Sequence, residues 1–236
     1  MTRDSERSTQ HCRAIVFDLD GVIVDSEALH YAAYTTVLQG FGVQVTADEY
    51  AAHWTATGRG PEYAVQTYTL PVDAQTLRAL KDPVYHDILR QRAALMPGAT
   101  AALVRLQPHA ALAIATNSNR QDVAFVLDHF DLRQFFTAVV TREDYAEAKP
   151  SPDAYLTAAT RVGAAPGACV VVEDSYRGIL AAHRAGAVVV AIPNPFTSGS
   201  DFSLAAAVLH SLDELTATLV ERLLVARQQP VGLGRS

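Results

Sequence analysis

Short apolar runs alternate with amphipathic segments over most of the chain. Four runs are nearly uniformly apolar and bounded by polar or turn residues: Ala14–Leu19, Ala110–Thr116, Cys169–Val172 and Val188–Ile192. A fifth, weaker run covers Ala138–Thr141. Strands that are buried on both faces of a parallel sheet have this pattern, so we predict five strands of one sheet.

Between these runs lie segments with helical periodicity: Arg120–Phe130, Ser151–Val162 and Tyr176–Ala185. The second of them stops at Gly163, a residue typical of helix C-termini. Each segment is long enough for the right-handed crossover that joins two parallel strands. The alternation predicts an α/β fold with a doubly wound, Rossmann-like parallel sheet as its core.

One interval interrupts this alternation. Between the first and second strands the chain has only helical patterns: Ala28–Gln39, Ala47–Ala56, Pro61–Thr69 and Ala74–Ala94. So long an interval exceeds a simple crossover. We therefore predict an inserted all-helical cap domain over residues 27–95 and an α/β catalytic core over residues 1–26 and 96–236. Residues 1–10 and about 227–236 have the pattern of frayed tails.

Composition narrows the class of protein. Apolar residues make up 49% of the 236 positions, charged residues 19%, and the net charge is −6. The chain can bury a sizeable core, and its charge gives no electrostatic reason to bind nucleic acid or a membrane. Cys12 and Cys169 adjoin apolar runs and are interpreted as reduced and partly buried. We expect a cytoplasmic protein, a monomer or weak dimer, without a signal peptide or membrane span.

The first strand ends in two carboxylates, Asp18 and Asp20. Ligand sites of open α/β sheets lie beyond the carboxyl ends of the strands, where this pair is predicted to be. Two such charges repel each other in a dry site and need a cation or a shared proton. A polar turn and a calcium loop are the alternatives, although a calcium loop supplies more closely spaced oxygen ligands.

A later strand also ends in paired carboxylates, Glu173 and Asp174. If both strands are central, four acids converge at one edge of the sheet, which suits a hard divalent cation such as Mg²⁺. The alternative is that Glu173 or Asp174 caps the following helix.

Two further segments have groups that can bind phosphate. Thr116 and Asn117 end another strand before a helix. Hydroxyl and backbone N–H groups there form either a phosphate cradle or an ordinary helix cap by Ser118 or Asn119. Lys149 precedes a proline on an extended loop and either reaches a phosphoryl oxygen or remains solvated.

Together the four segments resemble the motifs of the haloacid dehalogenase (HAD) superfamily of phosphohydrolases. The stretches DLDGVIVDSE (18–27), ATNS (115–118), AKPSPDAY (148–155) and VVVEDSYRGILAA (170–182) are similar to the branch that contains β-phosphoglucomutase and sugar-phosphate phosphatases. The resemblance covers essentially the whole chain and has the same order of motifs. Ala148 departs from it, because many relatives have glycine before the lysine.

The resemblance implies a Mg²⁺-dependent phosphatase that forms an aspartyl phosphate on Asp18. It implies that Asp20 is the general acid and base and contributes its backbone carbonyl to the metal. Asp18, Glu173 and Asp174 would be the other metal ligands, and Thr116, Asn117 and Lys149 would bind the phosphoryl oxygens. The implied substrate is a small phosphorylated metabolite, such as a sugar phosphate.

The cap residues that the resemblance points to are His30, Arg59 and Lys81. Arg59 is a candidate for binding a second anionic group; His30 is alternatively a packed helix residue, and Lys81 a solvated one. A β-phosphoglucomutase-type mutase is the alternative function, disfavoured by Pro61 where mutases have an arginine. A dehalogenase would need neither Asp20 nor the second carboxylate pair, and a non-catalytic binding protein would not need the full catalytic set.

Overall fold

The computed structural model describes residues 13–57 and 59–228. Six parallel strands form one sheet in the order β3-β2-β1-β4-β5-β6. Their bounds are β1 Ala14–Phe17, β2 Ala111–Ala115, β3 Ala138–Val140, β4 Cys169–Glu173, β5 Val188–Ala191 and β6 Ala207–Val208. The five predicted strands are present, and the two-residue edge strand β6 was not predicted, because so short a segment has no pattern of its own.

The helices follow the strands in the order that the alternation predicts. Their bounds are α1 Glu27–Gln39, α2 Ala47–Glu49 with a π-helical continuation over Tyr50–Thr55, α3 Gly60–Thr67, α4 Ala74–Arg92, α5 Ala99–Leu106, α6 Arg120–His129, α7 Asp153–Val162, α8 Tyr176–Ala185 and α9 Ala217–Gln228. Gly163 ends α7 with a φ of 70°, which confirms the predicted stop signal. The sequence patterns did not single out α5 and α9.

Alternate residues of each central strand pack on opposite faces of the sheet. Ile15 and Phe17 belong to a cluster with residues of α5, α6 and α9, whereas Ala14 and Val16 pack with residues of α7 and α8. All four side chains are buried, because helices cover both faces. This two-sided burial explains the uniformly apolar strands and confirms the doubly wound α/β core.

The interval between β1 and β2 is helical. Its helices α1, α2, α3 and α4 enclose an apolar cluster of their own, which includes Leu38, Trp54 and Leu77. Leu29 on α1 and Leu89 on α4 belong instead to the cluster on the sheet. The helical insertion thus has an apolar core of its own and also packs against the sheet. Its definition as a cap domain with limits at 26/27 and 95/96 stays a prediction.

Two predictions from composition concern the chain as a whole. Cys169 is buried at the start of β4, whereas Cys12 and the predicted tail 1–10 lie outside the described residues, as does 229–236. No helix within residues 13–57 or 59–228 combines the length and the apolar character that a membrane span requires.

The cap cluster leads to a stability prediction. Leu77 is fully buried in it, whereas Leu80 on the same helix is 43% exposed. Leu77→Ala is expected to lower the free energy of unfolding by about 2–5 kcal/mol, because it removes buried apolar surface and leaves a cavity. Leu80→Ala serves as the control and should change it by less than about 1 kcal/mol. Denaturant titration measures both values, and equal losses would contradict a packed cap core.

Candidate active site

The strand order brings the chemically active ends of three strands together. Strand β1 lies between β2 and β4, so Asp18 after β1 is flanked by residues that end its two neighbours. The backbone N–H of Asp18 donates to the carbonyl oxygen of Val172 at 2.9 Å, which extends the ladder one residue past the strand. The convergence that was expected from the sequence is therefore present at the carboxyl edge of the sheet.

Lys149 is buried at the centre of this edge. Its Nζ donates to Asp18 Oδ1 at 2.7 Å, to Glu173 Oε1 at 2.8 Å and to the carbonyl oxygen of Ala115 at 2.9 Å. The same nitrogen lies 4.6 Å from the ring centroid of Tyr155. The solvated alternative for Lys149 is wrong, because only 3% of the residue is exposed.

Three buried carboxylates form a compact cluster. Asp18, Glu173 and Asp174 each contribute an oxygen, and these oxygens lie within 4.8 Å of one another. The alternative that Glu173 or Asp174 caps the next helix is wrong, since Ser175 Oγ accepts from the N–H of Gly178 at the start of α8. The cluster is available to bind a cation.

The raised pKa values of Asp18 and Asp174 indicate that the negative charge of the cluster exceeds the positive charge of Lys149. Burial raises the pKa of Asp18 to about 8, and the nearby acids add to this shift, although Lys149 opposes it. Burial and the charges of Glu173 and Asp18 raise the pKa of Asp174 well above its ordinary value. A hard divalent cation with oxygen ligands would balance these charges, so the donor set fits Mg²⁺.

Asp20 lies next to this cluster but its side chain faces elsewhere. Its Oδ1 accepts from Ser26 Oγ at 2.6 Å, and its Oδ2 accepts from Ser118 Oγ. His30 Nε2 is 3.8 Å and Tyr85 Oη 3.5 Å from Oδ1. Burial raises the pKa of Asp20, but the nearby imidazole of His30 and hydrogen bonds from Ser118 and Ser26 outweigh it and hold the pKa below the ordinary value.

The side chain of Asp20 is therefore not part of the metal cluster. The predicted metal contact was its backbone carbonyl, and that contact stays a prediction.

The end of β2 supplies hydroxyl and amide groups. Thr116 Oγ1 donates to Asp20 Oδ2 at 3.3 Å and accepts from the N–H of Ser118 at 3.0 Å. Asn117 Oδ1 accepts from the N–H of Lys149 at 3.2 Å and from Tyr145 Oη at 2.8 Å. The helix cap is a different residue, Asn119, whose side chain accepts from the N–H of Asp122 at 2.9 Å. The helix-cap interpretation is thus confirmed for Asn119, while phosphate binding by Thr116 and Asn117 stays a prediction.

Two glycines leave room for the acids. Gly21 has a φ of +73°, and a Cβ at this position would collide with the carboxylate of Asp174. A Cβ on Gly178 would collide with the carboxylate of Glu173. The backbone at these two positions approaches the carboxylates more closely than any side chain would permit.

A cavity of about 660 Å³ extends from these acids to the cap helices. His30 and Lys81 line it, as the sequence predicted. His30 stacks on Tyr85 with ring centroids 4.0 Å apart, and Lys81 Nζ lies 4.1 Å from the same ring. Lys81 is buried, so its solvated alternative is wrong.

Arg59 requires a correction. It precedes α3 with an exposed side chain and is not among the described residues that line the cavity, whereas Gly60 and Pro61 of the same loop are. The neighbouring Gly58 lies outside the described residues. Arg78 on α4 lines the cavity in its place.

The sequence argument missed several residues that hold the acids in position. Tyr155 Oη donates to Glu173 Oε1 at 2.5 Å, and Asn194 Nδ2 donates to Asp174 Oδ2 at 2.7 Å. Tyr155 is part of the AKPSPDAY stretch, and Asn194 is the polar residue that follows the apolar run of β5. These locations were the only hints in the sequence that Tyr155 and Asn194 are near the site. The contacts themselves join distant segments, and such contacts leave no regular spacing in the sequence.

Comparisons with known proteins cover most of the chain. A family model described as haloacid dehalogenase-like hydrolase matches residues 15–192. The protein CbbY of Rhodobacter capsulatus is 32% identical over 205 residues, which cover 82% of this chain and 90% of that protein. The fructose-1-phosphate phosphatase YqaB of Escherichia coli strain K12 is 30% identical over 173 residues, which cover 73% and 92%.

The solved structure of CbbY from Rhodobacter sphaeroides in complex with phosphate is also similar. It matches with a TM-score of 0.72 at 26% identity, and the match covers 86% of this chain and 96% of that one. The similarity therefore includes both the sheet and the helical insertion.

The acid cluster predicts how stability depends on pH and metal. Because the pKa of Asp18 is raised to about 8 and that of Asp174 is also raised, these groups bind protons more tightly in the folded chain than in the unfolded one. Without metal, the contribution of Asp18 to stability is complete below about pH 4 and is lost as the pH rises through about 8; that of Asp174 is lost in the same direction. Mg²⁺ should raise the melting temperature more at pH 8 than at pH 5.

Thermal unfolding with EDTA and with Mg²⁺ measures this effect. Asp174→Asn should reduce both the pH dependence and the Mg²⁺ shift, whereas the exposed Asp87→Asn on α4 should reduce neither. An Mg²⁺ shift that survives in Asp174→Asn would contradict the proposed location of the metal.

Proposed function

Because the chain belongs to the haloacid dehalogenase-like hydrolase family, we propose that it is a Mg²⁺-dependent phosphatase that forms an aspartyl phosphate on Asp18. Its class is phosphoric monoester hydrolase, and its substrate is a small phosphorylated metabolite, with sugar phosphates as the first candidates. The observation that carries the proposal is the meeting of three carboxylates and one buried ammonium beside a fourth acid, Asp20.

In the first step a carboxylate oxygen of Asp18 attacks the phosphorus atom. A bond forms between that oxygen and phosphorus, and the bond from phosphorus to the substrate oxygen breaks. The neighbours of Asp20 hold its pKa low, so Asp20 would take up a proton as the anionic phosphoryl group binds beside it, and it gives that proton to the leaving oxygen. Such general acid catalysis contributes about 10²–10⁴-fold to the rate.

In the second step water attacks the aspartyl phosphate. Asp20, now a carboxylate, takes the proton from the water, and inorganic phosphate leaves as Asp18 is regenerated. Dividing hydrolysis between two displacements replaces one difficult step by two easier ones. The contacts of Asp20 with Ser26, Ser118 and Thr116 orient its carboxyl group for both proton transfers.

Charge neutralisation is the main requirement of this chemistry, because the nucleophile and the substrate are both anionic. Asp18, Glu173 and Asp174, with the backbone carbonyl of Asp20, would hold Mg²⁺, which as a Lewis acid would screen the phosphoryl oxygens. Lys149, Thr116 and Asn117 would bind those oxygens as well. The ammonium of Lys149 already lies against Asp18 Oδ1, so nucleophile and phosphoryl group would share one cation.

Hydrolysis is favoured over mutase chemistry. Pro61 lines the cavity where mutases have an arginine, and Arg59 is exposed outside its described lining, so neither position of this loop supplies the cation that a mutase has there. A dehalogenase would have no use for Asp20 or for the pair Glu173 and Asp174. Cytoplasmic location, a monomer or weak dimer, and the absence of nucleic-acid and membrane partners remain predictions.

The substrate class is supported by the relatives. The fructose-1-phosphate phosphatase of Escherichia coli acts on a small sugar phosphate, as its name states. The cavity has room for a molecule of this size and has both aromatic and charged walls, with Tyr34, Tyr50 and Glu27 among its lining. A panel of phosphorylated sugars and other small phosphates with Mg²⁺, assayed for released phosphate and for rearranged product, separates phosphatase from mutase.

The two aspartates should differ in their effect on turnover. Asp18→Asn should abolish turnover of an aryl phosphate, because no nucleophile remains. Asp20→Asn should lower turnover by about 10²–10⁴-fold, with the larger loss for substrates whose leaving oxygen is more basic. The exposed Asp48→Asn on α2 is the control and should retain wild-type turnover.

Steady-state kinetics and mass spectrometry of the trapped protein test these outcomes. A phosphorylated Asp18 should be detected in Asp20→Asn with a good leaving group. Residual wild-type turnover in Asp18→Asn would overturn the mechanism.

A further inference from the structure

Guanidinium groups face the cavity from both the cap and the core. Arg78 lies on α4 of the cap, and Arg177 lies in the first turn of α8, three residues after Asp174. Both line the cavity that contains Asp18. The proposed phosphatase chemistry uses neither side chain.

Arg78 is oriented by a carboxylate and keeps unused donors. Its Nη2 donates to both oxygens of Glu62 on α3, at 2.7 and 3.0 Å. Among the described residues, its Nε and Nη1 have no partner. A guanidinium has five donors in a planar fork that matches a phosphate or carboxylate, so Arg78 can bind an anion without losing Glu62.

Arg177 is connected to the catalytic loop. Its Nε donates to the carbonyl oxygen of Lys149 at 3.1 Å, and its Nη2 donates to the same oxygen. The side chain is half-buried, which keeps it close to one position. Its distance from the phosphoryl site is therefore set by the loop that bears Lys149.

The two arginines and Glu62 interact electrostatically. Burial and the charge of Arg78 lower the pKa of Arg177. Burial raises the pKa of Glu62, but hydrogen bonds and charge from Arg78, with a smaller contribution from Arg177, bring it below its ordinary value. Two positive charges therefore interact with the single carboxylate of Glu62, which neutralises only part of them.

We propose that Arg78 and Arg177 bind a second anionic group of the substrate, a phosphate or a carboxylate, while the first phosphoryl group lies against Asp18. The inference rests on the proposed function and narrows its substrate class to metabolites with two anionic groups. Arg78 thus takes the role that the sequence suggested for Arg59.

The contact between Arg78 and Glu62 has a plainer explanation, a brace between α3 and α4. A brace would affect all substrates equally, since it does not contact them. An anion site would make ligands with a second charge bind more tightly than ligands without one. Its measure is the ratio of the dissociation constant of the hydroxyl analogue to that of the two-anion ligand. That ratio is therefore the quantity to measure.

The test measures binding in the Asp18→Asn background with Mg²⁺, so that it does not depend on turnover. Dissociation constants are determined calorimetrically for ω-hydroxyalkyl phosphates, ω-carboxyalkyl phosphates and α,ω-alkanediol bisphosphates with chains of about three to six carbons. After correction for the two equivalent ends, one chain length should give about tenfold tighter binding of a two-anion ligand than of the hydroxyl analogue. The carboxylate and bisphosphate series distinguish the two anions.

Variants of Arg78 and Glu62 identify the residues responsible. Arg78→Gln should bring the ratio close to one. Glu62→Gln should increase it, because the change removes the negative charge that partly offsets Arg78 and keeps an amide oxygen that accepts from its Nη2. Arg90→Gln, on the same helix and paired with Asp87, is the matched control and should leave the ratio unchanged. Raising the salt concentration should reduce the wild-type ratio, because Arg78 is partly exposed.

Three results would overturn the inference: no preference for a second anion at any chain length, an equal effect of Arg78→Gln and Arg90→Gln, or a lower ratio in Glu62→Gln. Turnover of an aryl phosphate by the wild-type protein is measured in parallel. If that turnover is absent while the binding ratio follows Arg78, the phosphatase proposal fails and the anion site stands. If turnover is present and the ratio is flat, only the anion site fails.

Discussion

The ammonium of Lys149 lies between the carboxylates of Asp18 and Glu173, which are both largely buried, and the edge of the sheet is organised around it. Asp18 and Glu173 end neighbouring parallel strands, so the strand spacing forces their charges together. Burying ions is costly unless they are paired and hydrogen-bonded. Lys149 meets part of that cost, and the remaining negative charge is what suits the site to a divalent cation.

The surrounding structure serves to keep these acids in place. Tyr155 fixes Glu173, Asn194 fixes Asp174, and glycines at positions 21 and 178 allow the backbone to come close. The acids therefore do not have to reorganise when a phosphoryl group arrives, and preorganised charge is the usual source of catalytic power in phosphoryl transfer. The sheet also fixes the positions of these acids, because its central strands are buried on both faces.

Much of this arrangement could be predicted from the sequence, because its signals are local. An apolar run predicts a buried strand, and the acid that ends the run, such as Asp18 or Glu173, predicts where the site lies. What could not be predicted depends on how distant helices pack. The sequence pointed to Arg59 and gave no signal for Arg78, yet of these two arginines it is Arg78 that lines the cavity. Tyr85 lies near Asp20 because α4 packs back towards the sheet.

Asp20 belongs to two parts of the molecule at once. Ser118 holds it from the core, while His30 and Tyr85 approach it from cap helices. The residues that would select a substrate and the residue that would move its proton thus share one set of neighbours. Changes in the helical insertion that alter specificity must also preserve the environment of this acid, which restricts how freely new substrates can be acquired by altering the cap alone.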